Sequence, residues 1–218
     1  MSSSILDIKI RKFVPADRPA IRRISFKTSF LGSPEFFINH EEAVADALTL
    51  YFTDYEPESS FVAIQGEKVI GYLTGTKNAA RMNAMVNSRI FPQLWRHAFG
   101  QGLIFQKKIL TLLWYMGGSA LKWEFSLPDV TDRYPALLHI NIDESFRGRG
   151  VGRALMDYFL DYLKSERIPG VHCATLSDDA YRFFTSAGFY LLLKKPRTYL
   201  RYHFKKEMFY YLLGKTLR

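Results

Sequence analysis

Residues 144–156 read ESFRGRGVGRALM. Glycine recurs at every second position, Gly148, Gly150 and Gly152, among Arg147, Arg149 and Arg153, and a run with helical apolar spacing follows at once. Flexible residues and positive charge at the mouth of a helix have two readings. One is a turn that happens to be basic. The other is a phosphate cradle, in which backbone N–H groups at a helix start converge on an anion.

The flanking segments favour the second reading. PALLHINI (135–142) has the composition of a strand, and VGRALMDYFLDYLKSE (151–166) has helical periodicity. GVHCATL (170–176) is a second strand, and DAYRFFTSAG (179–188) a short helix closed by Gly188. Strand–helix–strand order predicts a parallel pair inside a mixed α/β sheet. Upstream, ILDIKIRKF (5–13) alternates at period two, and residues 14–30 read as a helix with Asp17 as its cap. A further helix is expected over 40–52 and a hairpin around Gly66 over 60–76. Residues 78–134 lack strand signal and read as a helical insertion broken at Pro92, Gly100 and Gly117–Gly118. That insertion either packs over the sheet or serves as an acceptor-binding lid. FYLLLKK (189–195), TYLRYHF (198–204) and EMFYYLL (207–213) are expected to complete a strand-rich end. The whole chain, 1–218, is read as one domain.

Composition narrows the partners. Thirty Lys and Arg against 21 Asp and Glu leave a formal charge of +9, which favours a nucleotide-like cofactor, nucleic acid or an acidic membrane surface. KKPRTYLRYHFKK (194–206) interleaves cations with aromatics and could mark a nucleic-acid or membrane-surface binder that grips phosphates. Strand alternation explains the same residues as edge strands with a charged outer face, so no nucleic acid is expected. The most apolar run, ILTLLWYM (109–116), is far shorter than the roughly 20 residues of a membrane span. The N-terminus lacks the apolar core of a signal peptide, and the default location is cytoplasmic. The single cysteine, Cys173, can form no internal disulfide and supplies no metal or redox pair.

RGRGVG is not a Walker loop, because no Gly-Lys-Ser/Thr follows, and its glycine spacing is not that of a dinucleotide fingerprint. It does match Arg/Gln-x-x-Gly-x-Gly/Ala, and FFTSAGF (183–189) looks like Phe-Tyr-x-x-x-Gly-Phe. In these motifs, and in the order of elements around them, the chain resembles the GNAT superfamily of acyl-CoA-dependent N-acetyltransferases. The resemblance covers most of the chain outside the insertion and is most specific between 135 and 189.

The resemblance implies an α/β (α+β) GNAT fold: a mixed central sheet with two splayed parallel strands, flanking helices and the helical insertion. It implies acetyl-CoA as co-substrate, no metal, and an amine acceptor that attacks the thioester directly; a homodimer is left open. The cofactor diphosphate would lie on Arg147, Gly148, Arg149, Gly150, Val151, Gly152 and Arg153. The pantetheine arm would lie along Ile140, Asn141 and Ile142, with the Ile142 N–H beside the thioester carbonyl, where a donor stabilises the oxyanion. A lysine-like amine, with a pKa of about 10.4, must shed a proton, and Asp143, Glu144 and His139 are the candidate bases. Each also reads as an ordinary turn or strand residue.

Two departures stand out. The family's tyrosine beside the departing sulfur is replaced by Phe184, leaving Tyr181, one turn earlier, as a candidate donor. The family's cofactor-binding asparagine is missing before that helix, where Ser177 or Asp178 would substitute. These departures motivate an alternative, a non-catalytic acyl-CoA-binding module of the same fold. Cys173 invites an acyl-cysteine scheme, but direct transfer needs no such nucleophile, and a buried strand cysteine is the ordinary case.

Overall fold

A computed structural model describes residues 8–32, 41–100, 102 and 105–217. Among these residues, seven strands form one sheet: β1 (Ile8–Lys12), β2 (Ser60–Gln65), β3 (Lys68–Thr76), β4 (Ala136–Ile142), β5 (Gly170–Thr175), β6 (Tyr190–Pro196) and β7 (Phe209–Thr216). Their order is β1-β2-β3-β4-β5-β7-β6, and every neighbouring pair is antiparallel except β4 with β5. The hairpin turns at Gly66, whose φ of 59° is one an L side chain rarely adopts. Residues 5–7 of the first expected strand lie outside the described residues.

Among the described residues, eight α-helices flank the sheet: α1 (Arg18–Thr28), α2 (Glu41–Leu50), α3 (Ala79–Met85), α4 (Phe91–Gly100), α5 (Lys107–Leu121), α6 (Val151–Ser165), α7 (Asp178–Ser186) and α8 (Thr198–Phe204). On one face, α6 covers β1–β4 and α7 covers β5 and β6. The main core lies here, with Leu155, Met156, Phe159 and Leu163 of α6 packed on Phe61, Ile70, Leu73 and Leu138. Gly75 lets α6 sit close, since a Cβ there would collide with the Phe159 ring. On the opposite face, Ile21 and Ile24 of α1 bury Val62, Val69 and Tyr72, while Leu112 of α5 and Leu200 of α8 pack with Leu176 and Met208.

Three expectations from sequence need correction. TYLRYHF is helix α8, not a strand. Leu200 faces the core, and the Glu124 carboxylate accepts from the Thr198 N–H (2.8 Å) and hydroxyl (2.6 Å), anchoring the helix start. Residues 194–206 are therefore the end of edge strand β6 followed by a helix, not two charged edge strands. Gly117–Gly118 do not interrupt α5, and Pro92 does not end its helical run: a π-helical segment, Val86–Ile90, joins α3 to α4, and the chain stays helical through Pro92 to Gly100. Asp17 immediately precedes α1 without capping it. Its carboxylate instead accepts from Arg11 (2.6 and 2.8 Å) and from the Val14 N–H (2.9 Å).

Candidate functional site

β4 and β5 are paired only at Ala136–Val171 and Leu137–His172. Beyond those two pairs, toward the C-terminal ends of both strands, the sheet divides. On its other edge β4 stays paired with β3 from Leu137 to Ile142, and β5 with β7 through Thr175. The Asp143 N–H reaches the Ile70 carbonyl (2.9 Å), so odd-numbered backbone groups of β4 point at β3. By strand alternation, the N–H and C=O groups of Ile140 and Ile142 point into the gap. Across it, the Pro169 carbonyl accepts from the Leu217 N–H (2.8 Å), so odd-numbered groups of β5 point at β7 and those of Ala174 face β4. The gap is thus lined by backbone donors and acceptors, as an extended amide-bearing chain requires.

The glycine loop stands at the mouth of this gap. Gly148 and Gly150 both have positive φ (73° and 79°), and Gly150 is the residue before α6. No side chain caps that helix, and its first internal bond runs from the Ala154 N–H to the Gly150 carbonyl (3.0 Å). The Val151, Gly152 and Arg153 N–H groups thus precede the helical ladder and carry its positive dipole end. A Cβ added at Gly152 would lie 3.4 Å from the Phe183 ring and 3.8 Å from Ile142, so loop, gap and α7 meet at this residue.

The three arginines differ in freedom. Arg147 bends back so that its Nε donates to the Ile142 carbonyl (3.3 Å), at the lip of the gap. The Arg149 guanidinium lies over the Phe146 ring at 5.3 Å. Arg153 is held within the protein, donating to Asp157 (3.0 and 3.2 Å) and to the Ser186 carbonyl (3.2 Å), which ties α6 to α7.

The candidate bases occupy distinct settings. Asp143 caps the turn after β4 by accepting from the Ser145 hydroxyl (2.6 Å) and N–H (3.2 Å); the hydroxyl bond foremost holds its carboxyl below the usual carboxylate range. Glu144 is exposed beside it. His139 projects from β4 on the face away from α6, edge-on to the Tyr72 ring. Burial pushes its imidazole down to about 4, so the ring is neutral at physiological pH. The Asn141 amide lies between the two, donating to the Tyr72 hydroxyl (2.8 Å) and 3.4 Å from His139 Nε2.

The remaining expected residues cluster on α7. Ser177 caps it by accepting from the Ala180 N–H (3.3 Å), and Asp178 accepts from the Tyr211 hydroxyl (2.6 Å). Tyr181 stacks on the Tyr211 ring at 4.7 Å. Phe184 is 5% exposed and packs against Phe183 and Phe189 in the core. Phe183, which sequence reasoning passed over, is the aromatic beside Gly152. Its signal was the pairing of two adjacent aromatics on a short helix, of which only one could face the core. Cys173 is fully buried, with its thiol pushed up by desolvation, and is no nucleophile in that state. Among the described residues, no cluster of His, Cys, Asp or Glu could hold a metal ion.

A mixed sheet split between two parallel strands, with an uncapped glycine-led helix at the split, is the GNAT fold. Residues 116–189 match the model of the Acetyltransferase (GNAT) family. No curated protein sequence matches the chain. Among solved structures, the chain is similar to SsHAT (23% identity, 97% of this chain and 99% of that one, TM-score 0.70). It is also similar to the Drosophila melanogaster polyamine N-acetyltransferase, which catalyses formation of N-acetylagmatine (13% identity, 97% and 100%, TM-score 0.59). A third is Salmonella typhimurium yncA, solved with its cofactor acetyl-CoA (13% identity, 97% and 94%, TM-score 0.59).

Proposed function

We propose that this protein is an N-acetyltransferase that moves the acetyl group of acetyl-CoA to an amine by direct attack. The observation that carries the reading is the division of β4 from β5 beside the uncapped start of α6. The residues present fit the cofactor. The Val151 and Gly152 N–H groups and Arg147 would receive the diphosphate, with Gly148 and Arg149 flanking it. The Ile140–Ile142 backbone would pair with the pantetheine amides, and Arg153 would contribute through α6–α7 geometry more than by direct contact. Bound acetyl-CoA supplies an activated acyl carbon and a thiolate leaving group.

The Ile142 N–H faces the gap and would stabilise negative charge on the thioester oxygen as the amine adds. Once its nitrogen bonds to the acyl carbon, that nitrogen's proton becomes strongly acidic, so a weak base suffices. Neutral His139 fits this role, and the amide of Asn141 would hold its ring in place. Asp143 is committed to its turn and is a weaker candidate. Glu144 remains an exposed alternative, and water can carry the proton to it. Tyr181 would supply the proton donor that Phe184 lacks only by leaving its stack on Tyr211. A thiol with a pKa of roughly 8.5 leaves acceptably without one.

The buried Phe184 is also what favours the second reading, an acyl-CoA-binding module without turnover. Titration calorimetry with acetyl-CoA, followed by thiol release with polyamines, agmatine and peptide amino termini, separates the two. Binding with turnover of any amine supports the enzyme. Binding without turnover across the panel supports the module, and no binding defeats both.

A further inference from the structure

α5 buries one side and leaves the other bare. Leu112 and Ser119 face α8, where the Tyr115 and Tyr202 rings also stack at 4.7 Å. The other side carries Leu110, Leu113, Trp114 and Leu121, and Trp123 follows just past the helix end. Trp114 is 81% exposed, Leu121 85% and Trp123 74%. Positions 110, 114 and 121 share one helical stripe. A contiguous set of bare large apolar side chains marks an interaction surface rather than ordinary surface scatter.

Charge identifies the partner. No acidic residue lies in α5 itself, while Lys107 opens the helix and Lys122 follows its end. Lys107 opens α5 at its positive dipole end, where a cation is unfavourable unless something anionic covers it. A groove between α5 and α8 brings Trp114, Tyr115, Lys122, Tyr199 and Arg201 to one surface. Lys205 and Lys206 stand exposed at the end of α8. A second copy of the chain would set cation against cation on this face. Nucleic acid would leave the leucines of the stripe without stacking partners. No helix among the described residues is long and apolar enough to cross a membrane, so the face would lie on a bilayer rather than enter it.

We propose that the outer face of α5, with the basic end of α8, docks on an anionic lipid bilayer. Trp114, Leu121 and Trp123 enter the headgroup–acyl boundary, and Lys107, Lys122 and Arg201 meet lipid phosphates. The inference is independent of acetyl transfer.

Flotation of the full chain with phosphatidylcholine vesicles, with or without phosphatidylserine, is the test. The protein partitions onto the anionic vesicles with a blue shift of its tryptophan fluorescence, and the partition falls as salt rises. Trp114→Ser and Leu121→Ser each weaken it by about tenfold. Lys107→Glu and Lys122→Glu each weaken it by at least about fivefold. All four side chains are exposed, so melting temperatures stay unchanged and loss of folding is distinguishable from loss of docking. Equal partition onto both vesicle types, or indifference to Trp114→Ser, overturns the proposal. So does sedimentation showing that Trp114→Ser dissolves a dimer, or binding of RNA or an acidic protein through this face without vesicle binding.

Discussion

Replacing Gly150 with alanine separates a phosphate loop from a mere bend. Gly150 sits at φ 79°, and no atom lies within 4 Å of where a Cβ would project. The stability cost of Gly150→Ala is therefore conformational alone, about 1–2 kcal/mol for an L residue in the left-handed region. Reduced entropy of the unfolded chain offsets part of it, leaving about 1 kcal/mol. In a protein of this size that lowers the melting temperature by roughly 2–4 °C. Relaxation of the strained residue also turns the Val151 and Gly152 N–H groups. A charge-assisted hydrogen bond to phosphate is worth about 1.5–3 kcal/mol, so losing one weakens acetyl-CoA binding at least about tenfold. Gly152→Ala is the control. Its Cβ would meet Phe183 and Ile142 at ordinary contact distances, so stability and affinity should stay near wild type. Thermal unfolding and calorimetry with acetyl-CoA read both variants. If Gly150→Ala melts lower but binds acetyl-CoA like wild type, the loop is only a bend. If Gly152→Ala is the more damaging of the two, the assignment of roles in the loop is wrong.

Three further outcomes follow from the site. His139 has a folded pKa of about 4 against an ordinary 6.5, so the unfolded chain takes up its proton first as pH falls. Stability is then lost between those two values, on the order of 3 kcal/mol if the shift is fully expressed. His139→Gln should flatten that part of the pH dependence of urea unfolding, and identical slopes would refute the half-buried neutral ring. Arg147→Ala should weaken acetyl-CoA binding about tenfold, whereas Arg153→Ala, whose fork is occupied by Asp157 and Ser186, should weaken it less than about threefold while lowering the melting temperature. Calorimetry showing the reverse order would move the diphosphate toward α7. Cys173→Ala should cost about 1 kcal/mol through the small cavity it leaves and change turnover less than about twofold. A large drop in thiol release would revive an acyl-cysteine step.

Much of this was readable from residues because the site's signals are local. A glycine loop between an apolar strand and a periodic helix must place free N–H groups at the helix start, whatever the rest of the chain does. What escaped reading depends on distant partners. In TYLRYHF, seven residues with aromatics at 199, 202 and 204 fit either period. The helix is settled by Glu124, 74 positions upstream, which caps Thr198, and by Met208 packing on Leu200. Gly117–Gly118 carry a helix penalty of about 1 kcal/mol each, yet α5 runs through them because its inner face is held on α8. The engagement of Arg153 with Asp157 and Ser186 depends on how α6 and α7 pack, which the basic loop alone does not reveal.

The division of the sheet is best understood from its cover. On the main core face, α6 lies chiefly on β1–β4 and α7 on β5 and β6, so the principal cover changes between β4 and β5. On the other face the change falls at the same place, with Ile21 and Ile24 of α1 on β2 and β3, and α5 with α8 beside Leu176 and Met208. The two strands pair with each other only at Ala136 and Leu137, although one core continues beneath them from α6 to α7, and Phe183 and Ile142 stand at the open end. A parallel ladder that stops early leaves backbone groups unsatisfied, each costing about 1–3 kcal/mol when cut off from water. That cost is recovered if an extended chain carrying amides pairs with them. The same open seam that weakens the empty protein then favours the bound one, so acetyl-CoA should slow hydrogen exchange at Ile140, Ile142 and Ala174 more than at Leu73 or Leu213, which are already paired. Uniform protection across both sets would show that the cofactor stiffens the whole sheet without entering the seam, and the proposed path of the pantetheine would fail.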